Sequence, residues 1–302
     1  NDVENASVVT TLYDANGEVY ATTTSDAVAL VANEKLAVAD AVTVEDPLLW
    51  SCDTPNMYTA VVELYDGDQL VDSYETPFGF KWFDVSATEG FSLNGETVLL
   101  KGVNLHHDNG LVGTASEPDA LDRKVKLMKD MGVNAIRTSH NPESQQFIDA
   151  CNKYGILVLE ESADFVSGGK GGYNWAHWFN DEVPADWAGA PDGGYPTVTL
   201  AADGTYKEAP YCWGDQHIQE MILRHRNNPC ILGWSIANEL RSAGDPPAWA
   251  TQELINDLYG TEFDPEPTWG INTEVIRLGQ RALQVDPYHK ISQATDALRA
   301  GV

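Results

Sequence analysis

Over residues 7–84, apolar and polar positions alternate in short runs at 7–13, 18–24, 35–42, 58–65 and 69–74, the period of half-buried β-strands. Asn16-Gly17 and Asp66-Gly67 fall between such runs, and both pairs tolerate positive φ, so they predict hairpin turns. An antiparallel sandwich of immunoglobulin type follows. Residues 91–100 add one more hairpin, and then the period changes.

From residue 98 onward strands and helices alternate. Strand 98–105 precedes a helix over 118–131 with Leu121, Val125 and Met128 on one stripe. Strand 134–139, helix 142–154, strand 156–161, helix 217–225, a strand ending at Glu239, helix 271–283 and strand 290–294 complete the series. Asn141 before Pro142 reads as a cap and first-turn proline, and Gly155 as a helix terminator. A full eight-stranded barrel takes ~250 residues, and this pattern supplies only five of its strands. The expected architecture is therefore multidomain: a β-sandwich over 1–84, then an incomplete (β/α)8 TIM barrel over 85–302.

Within the strand leading to Glu239, alternation sends Leu232, Trp234 and Ile236 to one side and Gly233, Ser235, Ala237 and Glu239 to the other. A bulky outer face and a small inner face suit a parallel barrel strand, which places Glu239 on the C-terminal rim. A carboxylic acid beside an amide, Asn238, is what glycosidic cleavage needs of a general acid. A solvated strand-end glutamate is the plainer reading of the dipeptide alone. Three further stretches put polar groups at strand ends: Asn104 to Asp108, Arg137 to Asn141, and Glu160 to Asp164. Four successive rims would converge on one site.

The chain has 302 residues and a net charge of -28, from 46 acidic and 18 basic side chains. Such a surface repels phosphate backbones and anionic membranes, so nucleic acid and membrane are disfavoured and a neutral ligand fits. The four cysteines have no zinc-like spacing, and compartment stays undetermined. Asn1 is not a start methionine, so a leader or upstream domains are expected to have been removed. Residues 165–213 are rich in Gly and aromatics, including Tyr173, Trp175, Trp178, Trp187, Tyr211 and Trp213. Aromatic faces stack on sugar rings, and so this segment reads as a wall of a carbohydrate site, with packing as the alternative for about half of the rings.

Taken together, these motifs resemble glycoside hydrolase family 2, the β-galactosidases with their β-glucuronidase and β-mannosidase relatives. Lys101 to Asp108 is similar to that family's first barrel strand, Asn134 to Pro142 to its second, and His225 to Glu239 to its acid/base signature. Asp46 to Trp50, Pro55 to Tyr58 and Phe78 to Lys81 resemble the end of its immunoglobulin-like domain. The resemblance implies Glu239 as acid/base, Asn238 holding the sugar 2-hydroxyl, His106 and His140 lining the subsite, and Arg137 orienting. His107 stays open between a site and a packing role. Asp164 is a candidate for a substrate hydroxyl or, equally, a loop charge.

The retaining mechanism of that family needs a second carboxylate about 5 Å from the first. No segment matches its nucleophile motif, and Glu160, Glu161 and Asp296 do not take its place. Some β-galactosidases bind magnesium through Glu and His after the third strand, where this chain reads Ser162 to Ser167. No metal or other cofactor is therefore assigned, and a metal ion is left to the intact enzyme. The expected function is retaining β-glycoside hydrolysis, first of all as a β-galactosidase, with this chain inactive alone. Its partners would be a carbohydrate substrate and either the rest of the barrel or a second copy. The rivals are a non-catalytic carbohydrate-binding module, a purely structural fragment, another family 2 specificity (β-glucuronidase or β-mannosidase), and a different barrel glycosidase with the same Asn-Glu pair, against which the sandwich joined directly before the first barrel strand argues.

Overall fold

The computed structural model describes residues 2–39, 41–86, 88–164, 182–184, 211–238 and 273–292. The first unit is a five-stranded antiparallel sheet, with β1 (Val3–Tyr13), β2 (Val19–Thr24), β3 (Val28–Leu30), β4 (Tyr58–Asp66) and β5 (Gln69–Phe78). Its order is β2-β1-β4-β5, and β3 also pairs with β1. Both predicted turns form: Gly17 has φ +83° and Gly67 φ +59°. At the first turn the Asp14 carboxylate accepts from the backbone N–H groups of Asn16 at 2.8 Å and Glu18 at 3.0 Å. These bonds to its charged form hold Asp14 below the usual carboxylate range.

The strand expected over 35–42 is absent among the described residues. Its pattern alternates, but Leu36 and Val38 are 54% and 46% exposed, so no apolar face is buried to hold the extended chain against its entropy.

A three-stranded sheet follows, of β6 (Phe83–Ser86), β7 (Gly90–Leu93) and β8 (Glu96–Thr97). Asn94 and Gly95, both at positive φ, make its second turn. The barrel unit then runs β9 (Gly102–His106), α1 (Pro118–Asp130), β10 (Ala135–Ser139), α2 (Gln145–Tyr154), β11 (Leu157–Glu161), α3 (Trp213–His225), β12 (Ile231–Ser235), α4 (Thr273–Val285) and β13 (Lys290–Ser292). The five strands are parallel and lie in sequence order, the arrangement that right-handed β/α crossovers give. Helix faces carrying Leu121, Val125, Phe147, Ile148, Ile218 and Ile222 are buried in one core with Ile136, Val158 and Trp234.

Several boundaries differ from the pattern for local reasons. Helix α2 begins at Gln145 with Ser144 as its cap, accepting from Phe147 N at 3.3 Å, rather than at Pro142 behind Asn141. The Glu143 N–H is taken by Glu160 Oε1 at 3.0 Å, which holds the preceding turn out of the helix. Strand β9 starts four residues later than expected, after Lys101 N has been taken by Asn134 Oδ1 at 2.7 Å. Helix α3 starts a turn early, because Asp215 reaches back to Cys212 N at 2.8 Å in a capping box. Gly155 ends α2 at φ +67°, as expected.

The two units are locked together. Trp50 is fully buried and donates from Nε1 to Asn152 O at 3.0 Å. A Cβ on Gly79 would lie 2.9 Å from Pro229 Cγ. Lys81 donates to the carbonyl of Ile231, at the start of β12. Burial lowers the Lys81 ammonium to about 8, against the pull of the Asp286 charge.

Candidate active site

Register determines which side chains share the rim. Arg137 on β10 lies opposite Asn104 on β9, Ser139 opposite His106, and Glu161 on β11 opposite Ser235 on β12. With a period of two, Arg137 and Ser139 share one side of β10, and Glu161 points inward where Glu160 points toward the helices. Accordingly, Glu160 accepts from His225 Nδ1 at 2.8 Å in the helix layer. The other His225 nitrogen, Nε2, accepts from Arg224 Nε at 3.1 Å.

Glu161 is the centre of the inner cluster. It is fully buried and accepts from Arg137 Nε at 2.9 Å and Nη2 at 2.5 Å, from Ser235 Oγ at 2.7 Å, and from His140 Nδ1 at 2.5 Å. Arg137 Nη2 also donates to Asn238 Oδ1 at 2.8 Å, and Nη1 reaches Asn104 Oδ1 at 3.5 Å. Asn238 in turn donates from Nδ2 to Asp164 Oδ1 at 3.0 Å, while its backbone N–H donates to Ala163 O at 3.0 Å. The Asn238 amide thus has an assigned orientation, oxygen toward the guanidinium and nitrogen toward the carboxylate. His106 meets the His140 ring edge-on at a centroid distance of 5.2 Å.

Of the residues the sequence nominated, Asn238, Arg137, His140, His106 and Asp164 therefore gather within one connected region. Glu239 lies outside the described residues, one position beyond Asn238. Most of the aromatic segment 165–213 lies outside them as well. Tyr211 is described: its hydroxyl donates to Gln219 Oε1 at 2.9 Å and its ring faces Arg281, which is packing against α3 and α4. Glu161 and Ser235 were missed as site residues. The period of β11 and its pairing with β12 were the signals that place both on the inner face.

A cavity of about 560 Å³ opens beside this cluster. His106, His107, Ser139, His140, Asn141 and Asp164 line it. His107 is tethered on both sides, by Glu143 Oε2 at 2.9 Å and Thr114 O at 3.0 Å. The carbonyl can only accept, so Nε2 carries a proton. Burial raises the Glu143 carboxyl above its usual range, against the pull of His107. Among the described residues no group of three His, Cys, Asp or Glu side chains is placed to hold a metal ion. No described helix is long and apolar enough to cross a membrane.

An antiparallel β module joined to a parallel β/α barrel, with Arg, His, Asp and Asn gathered at the C-terminal strand ends, defines a multidomain barrel protein with a polar cluster on the rim where barrel folds carry their sites. Residues 84–259 match the family model described as "Glycosyl hydrolases family 2, TIM barrel domain", and residues 1–81 match that of "Glycosyl hydrolases family 2". The chain belongs to glycoside hydrolase family 2.

Among curated relatives, the beta-galactosidase BoGH2A of Bacteroides ovatus is 32% identical over 237 residues, which is 78% of this chain and 24% of that protein. A putative beta-glucuronidase of Formosa agariphila is 34% identical over 257 residues, 84% of this chain and 20% of that protein. The chain thus spans between a fifth and a quarter of these relatives. Among solved structures, a glycosyl hydrolase family 2 member from Bacteroides cellulosilyticus aligns with a TM-score of 0.71 at 27% identity, covering 97% of this chain and 31% of that one.

Proposed function

We propose that this chain carries the acid/base half of a retaining β-glycosidase site and that the preferred substrate is a β-galactoside. The observation that carries the proposal is the Glu161–Arg137–Asn238–Asp164 chain of hydrogen bonds, which fixes the amide next to Glu239 in one orientation at the barrel rim. In this reading Asn238 holds the sugar 2-hydroxyl, and His106 and His140 line the ring's subsite. Glu239 protonates the leaving oxygen and then activates water for the second step.

Glu161 does not serve as the attacking carboxylate. It is fully buried, and both oxygens are committed, one to Arg137 and Ser235 and the other to His140. The nucleophile is therefore assigned to no described residue, and the 302 residues alone are expected to turn over negligibly.

The experiment compares this chain with the gene's full product on a panel of aryl β-glycosides, each with Glu239→Gln. The full product should cleave the β-galactoside, and the variant should lose about 10²- to 10⁴-fold in kcat. Unchanged turnover in the variant would remove Glu239 from the acid/base role, and binding of sugars without cleavage by the full product would replace this reading by that of a carbohydrate-binding module.

A further inference from the structure

The two glutamates that end β11 spend their bonds differently. Glu160 turns to the helix layer and meets His225, whereas three of the four bonds to the Glu161 side chain come from Arg137 and His140 at the rim, and one from Ser235. A fully buried carboxylate is a costly way to pin a fold, since apolar groups of the same volume often do as well. Its presence is better explained by what it holds.

The two oxygens hold different things. Oε2 takes Arg137 and Ser235, and through Arg137 it steadies Asn238. Oε1 takes His140 Nδ1 at 2.5 Å. An ionised carboxylate only accepts, so His140 carries its proton on Nδ1, and in a neutral imidazole the other nitrogen, Nε2, is then an acceptor. His140 lines the cavity with 18% of its side chain exposed. His107 lines it too, but both of its nitrogens are bonded within the protein, Nδ1 to Glu143 and Nε2 to Thr114 O. The bond that His140 makes to a described residue falls on Nδ1, which leaves Nε2 for a hydroxyl in the cavity.

Resting on the glycosidase reading above, we propose that Glu161 is a positioning residue that keeps the His140 proton on Nδ1 and so offers Nε2 to a sugar hydroxyl as an acceptor. Glu161 acts through His140 and touches no substrate itself.

The test uses the gene's full product and the aryl β-glycoside that it cleaves fastest, so the outcome does not depend on which sugar is preferred. Glu161→Gln keeps the size of the side chain but offers an oxygen at one end and an NH2 group at the other. Arg137 can only donate and keeps the oxygen. The NH2 group then faces Nδ1, and His140 must move its proton to Nε2 in order to accept. Nε2 becomes a donor where the sugar hydroxyl also donates. The mismatch should lower kcat/KM about 10- to 100-fold. In a His140→Phe background, whose ring has no nitrogen, the same change should cost at most about 3-fold. Nitrogen NMR of histidine-labelled protein at slightly alkaline pH, with the His140 signal identified by its loss in His140→Phe, should find the proton on Nδ1 in the parent and on Nε2 in Glu161→Gln. If Glu161→Gln does not fold, Glu161→Asp takes its place in both backgrounds with the same expected kinetics, because the shorter carboxylate stays on Arg137 and falls short of Nδ1.

A proton on Nε2 of His140 in the parent overturns the inference. So does an equal loss of kcat/KM in both backgrounds, which makes Glu161 a support of the fold alone, or no loss in either. Each of these leaves the glycosidase reading standing. A full product that cleaves no aryl β-glycoside brings down that reading, and this inference with it.

Discussion

Replacing Glu161 with alanine tests whether the inner cluster is held by one buried carboxylate. Glu161 is fully buried and its partner Arg137 is 18% exposed, so water cannot replace the lost acceptor well. Two guanidinium bonds, one imidazole bond and one hydroxyl bond lose their acceptor together. Charge-assisted bonds are worth about 1.5–3 kcal/mol each, but removing one partner of a buried pair costs about 3–5 kcal/mol in all, since such terms do not add. The expected loss for Glu161→Ala is therefore about 4 kcal/mol.

Urea denaturation followed by tryptophan fluorescence measures this loss, with Arg137→Met/Glu161→Met as the control. Removing both charges leaves no unpaired ion, so the double variant should recover to within about 2 kcal/mol of the parent. A Glu161→Ala loss below about 1 kcal/mol would refute the reasoning. So would a double variant no more stable than the single one, because either result means that the pair is solvated rather than buried.

Two further outcomes concern the frame. Gly155→Ala should cost at least about 3 kcal/mol by the same assay, because its φ is +67° and the new Cβ would lie 2.3 Å from Cys52 O; a neutral variant would show that the linker yields there. The Lys81 ammonium titrates at about 8 when folded, below its ordinary 10.5. Between those values the unfolded chain binds a proton that the folded chain does not, so this residue makes stability rise with pH across that window. Its penalty is fully present below pH 8. Stability profiles of the parent and Lys81→Met should differ by that rise, and parallel profiles would contradict it.

Much of the barrel was legible because its signals are local and repeated. Gly155, the stripe of Leu121 and Val125, and the alternation of Leu232, Trp234 and Ile236 each state an element without reference to the rest of the fold. Candidate rim residues were legible for the same reason: Asn238, Arg137 and the histidines fall at strand ends that periodicity locates. The role of Glu161 was not, because it depends on pairing across three strands. Glu160 and Glu161 are identical in type, and only the facing of β11 sends one to His225 and the other to Arg137. The cap of α2 was misjudged for a related reason, since the bond from Glu143 N to Glu160 is tertiary. The strand expected over 35–42 failed because alternation reports the capacity to bury a face, and no partner face is there.

The seam between the two units bears on how this family's modules can be exchanged. Trp50, Gly79 and Lys81 belong to the β module and the segment leading from it, yet they are fitted to Asn152, Pro229 and Ile231 of the barrel. Pro229 lies just before β12, Ile231 opens it, and Asn238 follows three residues past its far end, so the joint is a weld placed beneath the candidate rim. A chimera cut at the nominal boundary near residue 84 would part the strand from its seat. One that carries residues 46–81 together with the barrel would keep the rim in register, which makes this stretch a part of the barrel's structural unit.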